Sequence, residues 1–232
     1  MFINGFDILW DEIDDYVADI QSIRSIDQLT FNKPVTFFCG ENGSGKSTLL
    51  EALAIKNGLN PEGGTRNYNF STYDSYSDLH NHMRLWRSRK PDWMYFLRAE
   101  SFYNVATKEM EYSGVFSERY HDQSHGQSFF SVLMKQTNKN GLYLLDEPEA
   151  ALSCQNQLAL LYLIQSCVKQ NCQFIIATHS PILLGFPGAQ ILSFDEGKIE
   201  EVDYKSTSSY QTMKLFLDRY DYFVKDIKEN DN

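Results

Sequence analysis

The chain has 232 residues, of which 42% are hydrophobic, and its 21 Lys and Arg residues are outnumbered by 31 Asp and Glu, for a formal net charge of −10 at pH 7. This composition excludes a wholly disordered chain, and the length suits one large domain, because α/β folds routinely exceed about 200 residues. It also argues against a surface that coats duplex DNA everywhere, since that affinity comes from neutralising phosphates.

The sequence shows neither a membrane span nor a leader. It has no run of about 18 apolar residues, and its first residues lack the basic and apolar regions of a signal peptide. The four cysteines have neither CxxC spacing nor a paired histidine; they are Cys39, Cys154, Cys167 and Cys172. We therefore predict a cytoplasmic protein whose cysteines are small buried residues rather than metal ligands or disulfide partners.

Short apolar runs that end in Gly, Asp or His predict strands, and helical patterns lie between them. The predicted strands are Val35–Cys39, Met94–Leu97, Leu142–Leu145, Gln173–Ala177 and Gln190–Phe194. The predicted helices are Lys46–Lys56, His125–Gln136, Glu149–Lys169 and Thr207–Lys225. Because strands alternate with helices, we expect an α/β fold with a largely parallel sheet covered by helices and a small inserted lobe.

Two segments interrupt this alternation. Asn57–His82 is rich in Gly, Asn, Ser and Tyr, which predicts an inserted loop or a small antiparallel lobe. Met83–Lys90 is a concentrated basic stretch in which Arg residues flank Trp86, a combination that could contact a nucleic-acid backbone and stack a base. If this stretch is helical, the same residues form a solvated face with Leu85 and Trp86 turned inward. We favour this second interpretation.

The clearest motif is GENGSGKS at residues 40–47, which fits the phosphate-binding pattern G-x-x-x-x-G-K-[ST]. It directly follows a predicted strand and opens a predicted helix, and its glycines let backbone N–H groups wrap a phosphate at the positive end of that helix. Lys46 would reach the β- and γ-phosphates, and Ser47 would ligate Mg²⁺. The predicted nucleotide-binding residues of this segment are Glu41, Asn42, Gly43, Ser44, Gly45, Lys46, Ser47 and Thr48.

A second site follows the strand Leu142–Leu145, which delivers Asp146 and Glu147 at its carboxyl end. Ligands bind at the carboxyl ends of strands in open α/β sheets. Asp146 can hold Mg²⁺, and Glu147 can orient or deprotonate the attacking water. An isolated Asp-Glu pair often only caps the next helix, but the phosphate loop upstream favours the catalytic interpretation.

The next predicted strand ends near His179. A histidine at a strand end is usually a hydrogen-bonded turn residue. Because this strand follows the acidic one in a largely parallel sheet, His179 could instead lie beside the γ-phosphate, donate to it and sense its loss.

A further motif is the segment QSHGQS at residues 123–128. Together with the motifs above, it makes the chain resemble the ABC-type ATPases over about residues 28–200. These P-loop proteins include transporter motor subunits and soluble ATPases of chromosome maintenance and DNA repair. The segment is similar to the signature loop of that family, Leu-Ser-Gly-Gly-Gln. By this resemblance Ser124 and Gly126 would contact the γ-phosphate of ATP on a second subunit, with Gln127 in the same nucleotide-binding set. Taken alone, these residues would be a polar helix cap.

The resemblance implies a single ABC-type ATPase domain over residues 1–232, in which residues 57–140 hold the inserted loop, a helical lobe and the signature region. It also implies roles for individual residues: Lys46, Glu147 and His179 as catalytic, Ser47, Asp146 and Glu100 as metal ligands, and Ala151, Leu152 and Ser153 as a dimer-facing loop.

Two family features have no clear counterpart in this sequence. Glu100 lies near the place where the family carries a lobe-linking glutamine, but Arg98 beside it favours a salt bridge instead. Tyr16 and Phe31 are the candidates for stacking on adenine, and core packing better explains Phe31.

These observations lead to one main functional hypothesis. It is an ATPase, with ATP and Mg²⁺ as cofactors, that dimerises around two Mg-ATP and drives a conformational change in a nucleic-acid or protein partner, in DNA repair or phage defence. The residues around Asp146 and His179 look more like those of soluble ATPases than those of transporter motors, so we expect no membrane partner.

The alternative is the ATP-binding motor subunit of a membrane ABC transporter. A nucleotide switch with little turnover is disfavoured by Glu147, which a pure binder does not need.

Overall fold

The structure, a computed structural model, describes residues 1–10, 13, 15–65, 76–98, 137 and 140–230. The strands in these ranges are β1 (Ile3–Ile8), β2 (Gln28–Thr30), β3 (Val35–Cys39), β4 (Gly64–Thr65), β5 (Met83–Arg87), β6 (Trp93–Arg98), β7 (Gly141–Asp146), β8 (Gln173–Ala177), β9 (Gln190–Ser193) and β10 (Glu200–Glu201). The helices are α1 (Gln21–Arg24), α2 (Lys46–Lys56), α3 (Cys154–Val168), α4 (Pro181–Leu184), α5 (Ser208–Asp218) and α6 (Tyr220–Asn230).

A seven-stranded sheet forms the centre, in the order β10-β9-β3-β8-β7-β6-β4. The five inner strands are parallel to one another, and the two edge strands pair antiparallel. Every residue of β3, β7 and β8 is buried, which is why these strands are largely apolar in the sequence. The predicted α/β fold with a largely parallel sheet is confirmed.

Alternate side chains of the central strands enter two separate cores. Phe38 and Leu144 pack with α2 on one face of the sheet, whereas Phe37 and Tyr143 pack with α3 on the other. This is the period-two alternation of a strand that is covered on both faces. The sheet is therefore held between helices, and its carboxyl edge is left to the loops.

A second, three-stranded antiparallel sheet, in the order β2-β1-β5, was not predicted. It packs in one core with α2 and the central sheet, because Ile3 and Phe6 of β1 belong to the same cluster of buried side chains as Leu50. Met83–Arg87 belongs to this sheet and is a strand, so the helix considered for the basic stretch is wrong.

The side chains of that strand are engaged within the sheet. Trp86 Nε1 donates to Asp7 Oδ2 at 3.0 Å, and Arg84 Nε donates to the same oxygen at 2.9 Å. These bonds, with the hydrogen bond from Trp86 the larger effect, lower the pKa of the Asp7 carboxyl. Two of the side chains that suggested a nucleic-acid contact are thus paired with a carboxylate of the neighbouring strand.

The predicted helix boundaries fit to different degrees. Lys46–Lys56 is observed as predicted, whereas the next described helix begins at Cys154, after a 3₁₀ turn over Pro148–Ala151. The predicted terminal helix is two helices separated at Arg219, whose backbone leaves the helical region. The predicted helix His125–Gln136 and most of the predicted inserted lobe lie outside the described residues.

Within the described ranges, no helix combines the length and the apolar character that a membrane crossing requires.

Candidate nucleotide-binding site

The loop between β3 and α2 wraps the first turn of the helix. Gly43 and Gly45 have φ of 77° and 94°, a backbone conformation that glycine adopts without the Cβ clash. A Cβ at Gly45 would lie 2.8 Å from Cγ2 of Ile20, so the loop also packs too closely there for a side chain. The Ser22 hydroxyl donates to the carbonyl of Ser44 and ties the loop to α1. The glycines at these positions are therefore required by the observed shape.

Lys46 lies inside this loop. Its Nζ donates to the carbonyl oxygens of Gly40 at 2.9 Å and Glu41 at 2.7 Å, and to Ser44 Oγ at 3.3 Å. Burial lowers the pKa of the Lys46 ammonium, and the nearby carboxylates of Glu147 and Asp195 oppose this shift. A cation held in a loop that leads into the amino-terminal end of a helix is an arrangement suited to a phosphate.

The side chains of Ser47 and Asp146 are hydrogen-bonded at the carboxyl edge of the central sheet. Ser47 Oγ donates to Asp146 Oδ1 at 2.8 Å, although the two residues come from α2 and from the end of β7. The parallel order of β3, β8 and β7 brings their carboxyl ends to one edge and produces this contact. A hydroxyl and a carboxylate are the oxygen ligands that Mg²⁺ takes, usually together with substrate phosphates, so these two residues fit the ion.

Glu147 has an unusual backbone. Its φ of 47° and ψ of 51° place a non-glycine residue in the left-handed region, a strain that proteins commonly retain at functional sites. Its N–H donates to the carbonyl of Ala177 at 2.9 Å, which anchors the turn to β8. His179 Nε2 lies 3.6 Å from Glu147 Oε1, and both side chains are partly exposed. The structure thus brings together the acid and the histidine that the sequence singled out.

The remaining predicted residues of the loop line the site. Glu41, Asn42 and Gly43 are exposed, and Thr48 is half-buried in the first turn of α2. Ser124, Gly126, Gln127 and Glu100 lie outside the described residues. Arg98 pairs with Glu51 of α2 at 2.6 Å. The salt bridge between Arg98 and Glu100 that the sequence suggested stays a prediction, because Glu100 is outside the described ranges. Burial raises the pKa of Glu51, and Arg98 counteracts that effect.

A cleft of about 1030 Å³ opens beside the loop. Its walls include Asn42, Gly43 and Ser44, and also Tyr16, which has 52% of its surface exposed. Phe31, by contrast, is 1% exposed and packs against Phe6 and Phe38. Of the two aromatic candidates for adenine, only Tyr16 faces open space.

Asp195 is a site residue that the sequence analysis missed. Its Oδ1 accepts the Glu41 N–H at 3.0 Å, and its Oδ2 accepts the Ser193 hydroxyl at 2.9 Å. It therefore fixes the start of the phosphate loop. Its position just beyond the carboxyl end of β9 was the available signal, because that edge of a parallel sheet carries the ligands.

Glu149 and Gln157 were also missed. Glu149 Oε1 accepts the backbone N–H of His179 at 2.6 Å, and Gln157 Oε1 accepts the hydroxyl of Ser180 at 2.6 Å. Both contacts join segments that are distant in the sequence, and no local sequence pattern predicts them.

Two family models match the sequence. One, described as an AAA domain, matches residues 18–80, and the other, described as an AAA ATPase domain, matches residues 125–184. The first range contains the whole phosphate loop, and the second contains Asp146, Glu147 and His179.

An uncharacterized ABC transporter ATP-binding protein of Haemophilus influenzae is 28% identical over 183 residues, and the match covers 68% of either chain. Among solved structures, the SMC head domain of Thermotoga maritima has a TM-score of 0.48 at 13% identity and covers 88% of this chain and 100% of that chain. CbiO1 of Clostridium perfringens, part of an ABC transporter complex, has a TM-score of 0.47 at 17% identity and covers 97% and 100%. At these scores the two structures bear on neither the chemistry nor the partner of this chain.

Proposed function

The chain is an ATPase domain of the AAA/ABC P-loop type, and from this premise we propose that it binds Mg-ATP at the Lys46 loop and hydrolyses it with Glu147. The observation that carries the proposal is the 2.8 Å contact between Ser47 and Asp146. It joins the phosphate loop to the acidic strand end, so that groups for phosphate, metal and water share one edge of the sheet.

Each residue has a separate task in the proposed reaction. Lys46 and the loop N–H groups bind the β- and γ-phosphates, while Ser47 and Asp146 hold the metal ion. Bound Mg²⁺ neutralises charge on the phosphate oxygens. Glu147 orients the attacking water and accepts its proton, and His179 contacts the γ-phosphate from the neighbouring strand end. Tyr16 provides a surface for adenine in the cleft.

The proposal extends to a dimer. By family resemblance, Ser124, Gly126 and Gln127 of one copy complete the site of the other, so two Mg-ATP would join two copies in a symmetric arrangement. Closure and release of that dimer would move a nucleic-acid or protein partner. None of the similarities described above points to DNA repair or phage defence, and the cytoplasmic location and the metal role of Glu100 likewise stay predictions.

A transporter motor subunit is the second candidate, and the Haemophilus influenzae relative, named as an ABC transporter ATP-binding protein, favours it. Affinity purification from solubilised membranes distinguishes the two. Recovery of a stoichiometric membrane permease supports the transporter, whereas recovery of nucleic acid or of a non-membrane protein supports the first candidate.

Replacement of Glu147 tests the chemistry. Glu147→Gln keeps the size and hydrogen-bonding shape of the side chain but removes the base, so phosphate release should fall by roughly 10²–10⁴-fold while ATP still binds. Phosphate release and retained ATP are measured on the same purified protein, with Asp218→Asn, an exposed carboxylate of α5, as the matched control. Wild-type turnover in Glu147→Gln would show that another group activates the water.

A further inference from the structure

The loop that carries His179 is held by the segment that follows Glu147. The backbone N–H of His179 donates to Glu149 Oε1 at 2.6 Å. Glu149 lies in the 3₁₀ turn Pro148–Ala151, only two residues beyond Glu147. One short, constrained turn therefore carries both the catalytic carboxylate and the group that anchors the histidine.

The neighbouring residue of the loop is fixed separately. Ser180 Oγ donates to Gln157 Oε1 at 2.6 Å and accepts the N–H groups of Ile182 and Leu183 at the start of α4. Gln157 Nε2 in turn donates to the Leu152 carbonyl at 3.1 Å. Ser180 is therefore held by contacts that do not involve the side chain of Glu149.

The imidazole of His179 is placed by its backbone. Nε2 is 3.6 Å from Glu147 Oε1, which is beyond a hydrogen bond. Among the described residues, this nitrogen has no hydrogen-bond partner, although the atom itself is buried. Within the described part of the chain, no hydrogen bond at this nitrogen therefore fixes its distance to Glu147. The bonds that set it are at the backbone: Glu147 N–H to Ala177 on one side, and His179 N–H to Glu149 on the other.

We propose that Glu149 is a positioning residue that holds His179 beside Glu147 for ATP hydrolysis. This inference rests on the proposed function. An ionised carboxylate is a stronger acceptor for a backbone N–H than a neutral group, and its loss would let the loop shift while Ser180 keeps α4 capped. A displacement of about 1 Å in a reacting geometry is enough to slow a reaction by roughly a hundredfold.

Activity measurements separate positioning from folding. In Glu149→Ala, kcat should fall roughly 10- to 100-fold with ATP affinity unchanged, the range expected for loss of a hydrogen bond to a charged group. Glu149→Gln keeps an acceptor oxygen and should retain most of the rate. Asp218→Ala, which removes an exposed carboxylate on α5, should leave both quantities unchanged. Equal loss in the Ala and Gln variants would overturn a role as hydrogen-bond acceptor.

A double-mutant cycle shows whether Glu149 acts through His179. Combined with His179→Ala, Glu149→Ala should reduce kcat no further than His179→Ala does alone. Independent, multiplying losses would contradict the proposal. If Glu149→Ala proves unstable in thermal unfolding, the same cycle is run with Glu149→Asp, which shortens the acceptor arm and should also lower kcat.

Hydrogen exchange of the His179 amide tests the contact without any nucleotide. The amide should be protected in the wild type and in Glu149→Gln, and should exchange faster in Glu149→Ala, while amides of α4 stay protected. Unchanged protection in Glu149→Ala would overturn the inference. A wild-type protein that fails to hydrolyse ATP would overturn the proposed function, and this exchange would still decide whether Glu149 holds the loop.

Discussion

Lys46, Ser47, Asp146 and Glu147 lie together because of two local conditions at single residues. The left-handed glycines allow the loop to turn back over the start of α2, which buries Lys46 to 4% exposure. The strained backbone of Glu147 turns its side chain out of the buried strand that places Asp146. Buried charge and unusual backbone at neighbouring positions are typical of functional sites, where strain is retained by the surrounding structure.

The burial of the four cysteines can be compared with the prediction made from the sequence. Cys39, Cys167 and Cys172 are buried as predicted, but Cys154 is exposed, which corrects the expectation for that residue. Ser153 caps α3, so the first residue of that helix, Cys154, stays at its exposed end. Burial raises the pKa of Cys39 and of Cys167 to about 11 and also raises the pKa of Cys172, so the reactive thiolate form is disfavoured at all three buried cysteines.

We therefore expect selective alkylation of the folded protein. Only a thiolate reacts, and at about pH 8 a thiol of pKa about 11 is ionised in roughly one molecule in a thousand. Iodoacetamide should modify Cys154 and leave Cys39 and Cys167 unmodified until the protein is unfolded, as peptide mass spectrometry measures. Rapid labelling of Cys39 in the native protein would mean that β3 opens beneath the phosphate loop.

At the scale of elements, Gln173 joins the two sheets. This residue of β8 is fully buried; its Oε1 accepts the N–H groups of Phe2 at 2.6 Å and Ile3 at 3.0 Å, and its Nε2 donates to the Ile3 carbonyl at 2.8 Å. A polar side chain in a central strand is thus satisfied by the backbone of β1, an arrangement that an apolar residue could not provide.

Gln173→Ala should destabilise the protein by roughly 2–4 kcal/mol, because it leaves several buried backbone groups without their partner. Urea unfolding measures the change, and Gln165→Ala, on the exposed side of α3, is the control. An unchanged midpoint in Gln173→Ala would show that β1 finds other partners and that the two sheets do not depend on this residue.

The central sheet was predictable from the sequence because burial on both faces leaves largely apolar runs, as in Val35–Cys39 and Gln173–Ala177. The antiparallel sheet was not, since its strands carry charged residues such as Asp7 and Arg84 and pair over long separations. The break at Arg219 has no glycine or proline to mark it. The phosphate loop and Asp146 were visible as motifs, whereas the contacts of Glu149 and Asp195 depend on packing between distant segments.

At the scale of the whole molecule, α2 shares one core with residues of both sheets, and the phosphate loop precedes its amino-terminal end. A cleft of about 1030 Å³ is continuous with that loop and is lined mainly by α1, the loop and residues that follow β9. The proposed function places one nucleotide there and requires a second copy to complete the site. Whether a second copy is needed can be tested by measuring the molecular mass of the protein in the presence of ATP.

Light scattering of Glu147→Gln with and without Mg-ATP tests most directly whether ATP joins two copies of the chain. We expect saturating Mg-ATP to double the mass from the 26.9 kDa of one chain. This increase should disappear when Glu147→Gln is combined with Lys46→Ala, which loses the phosphate contact, or with Ser124→Arg, which places bulk and charge in the signature loop. Combination with Lys214→Ala, at an exposed lysine of α5, should leave the increase unchanged. A mass that stays at one chain while calorimetry shows ATP bound would rule out the ATP-dependent dimer.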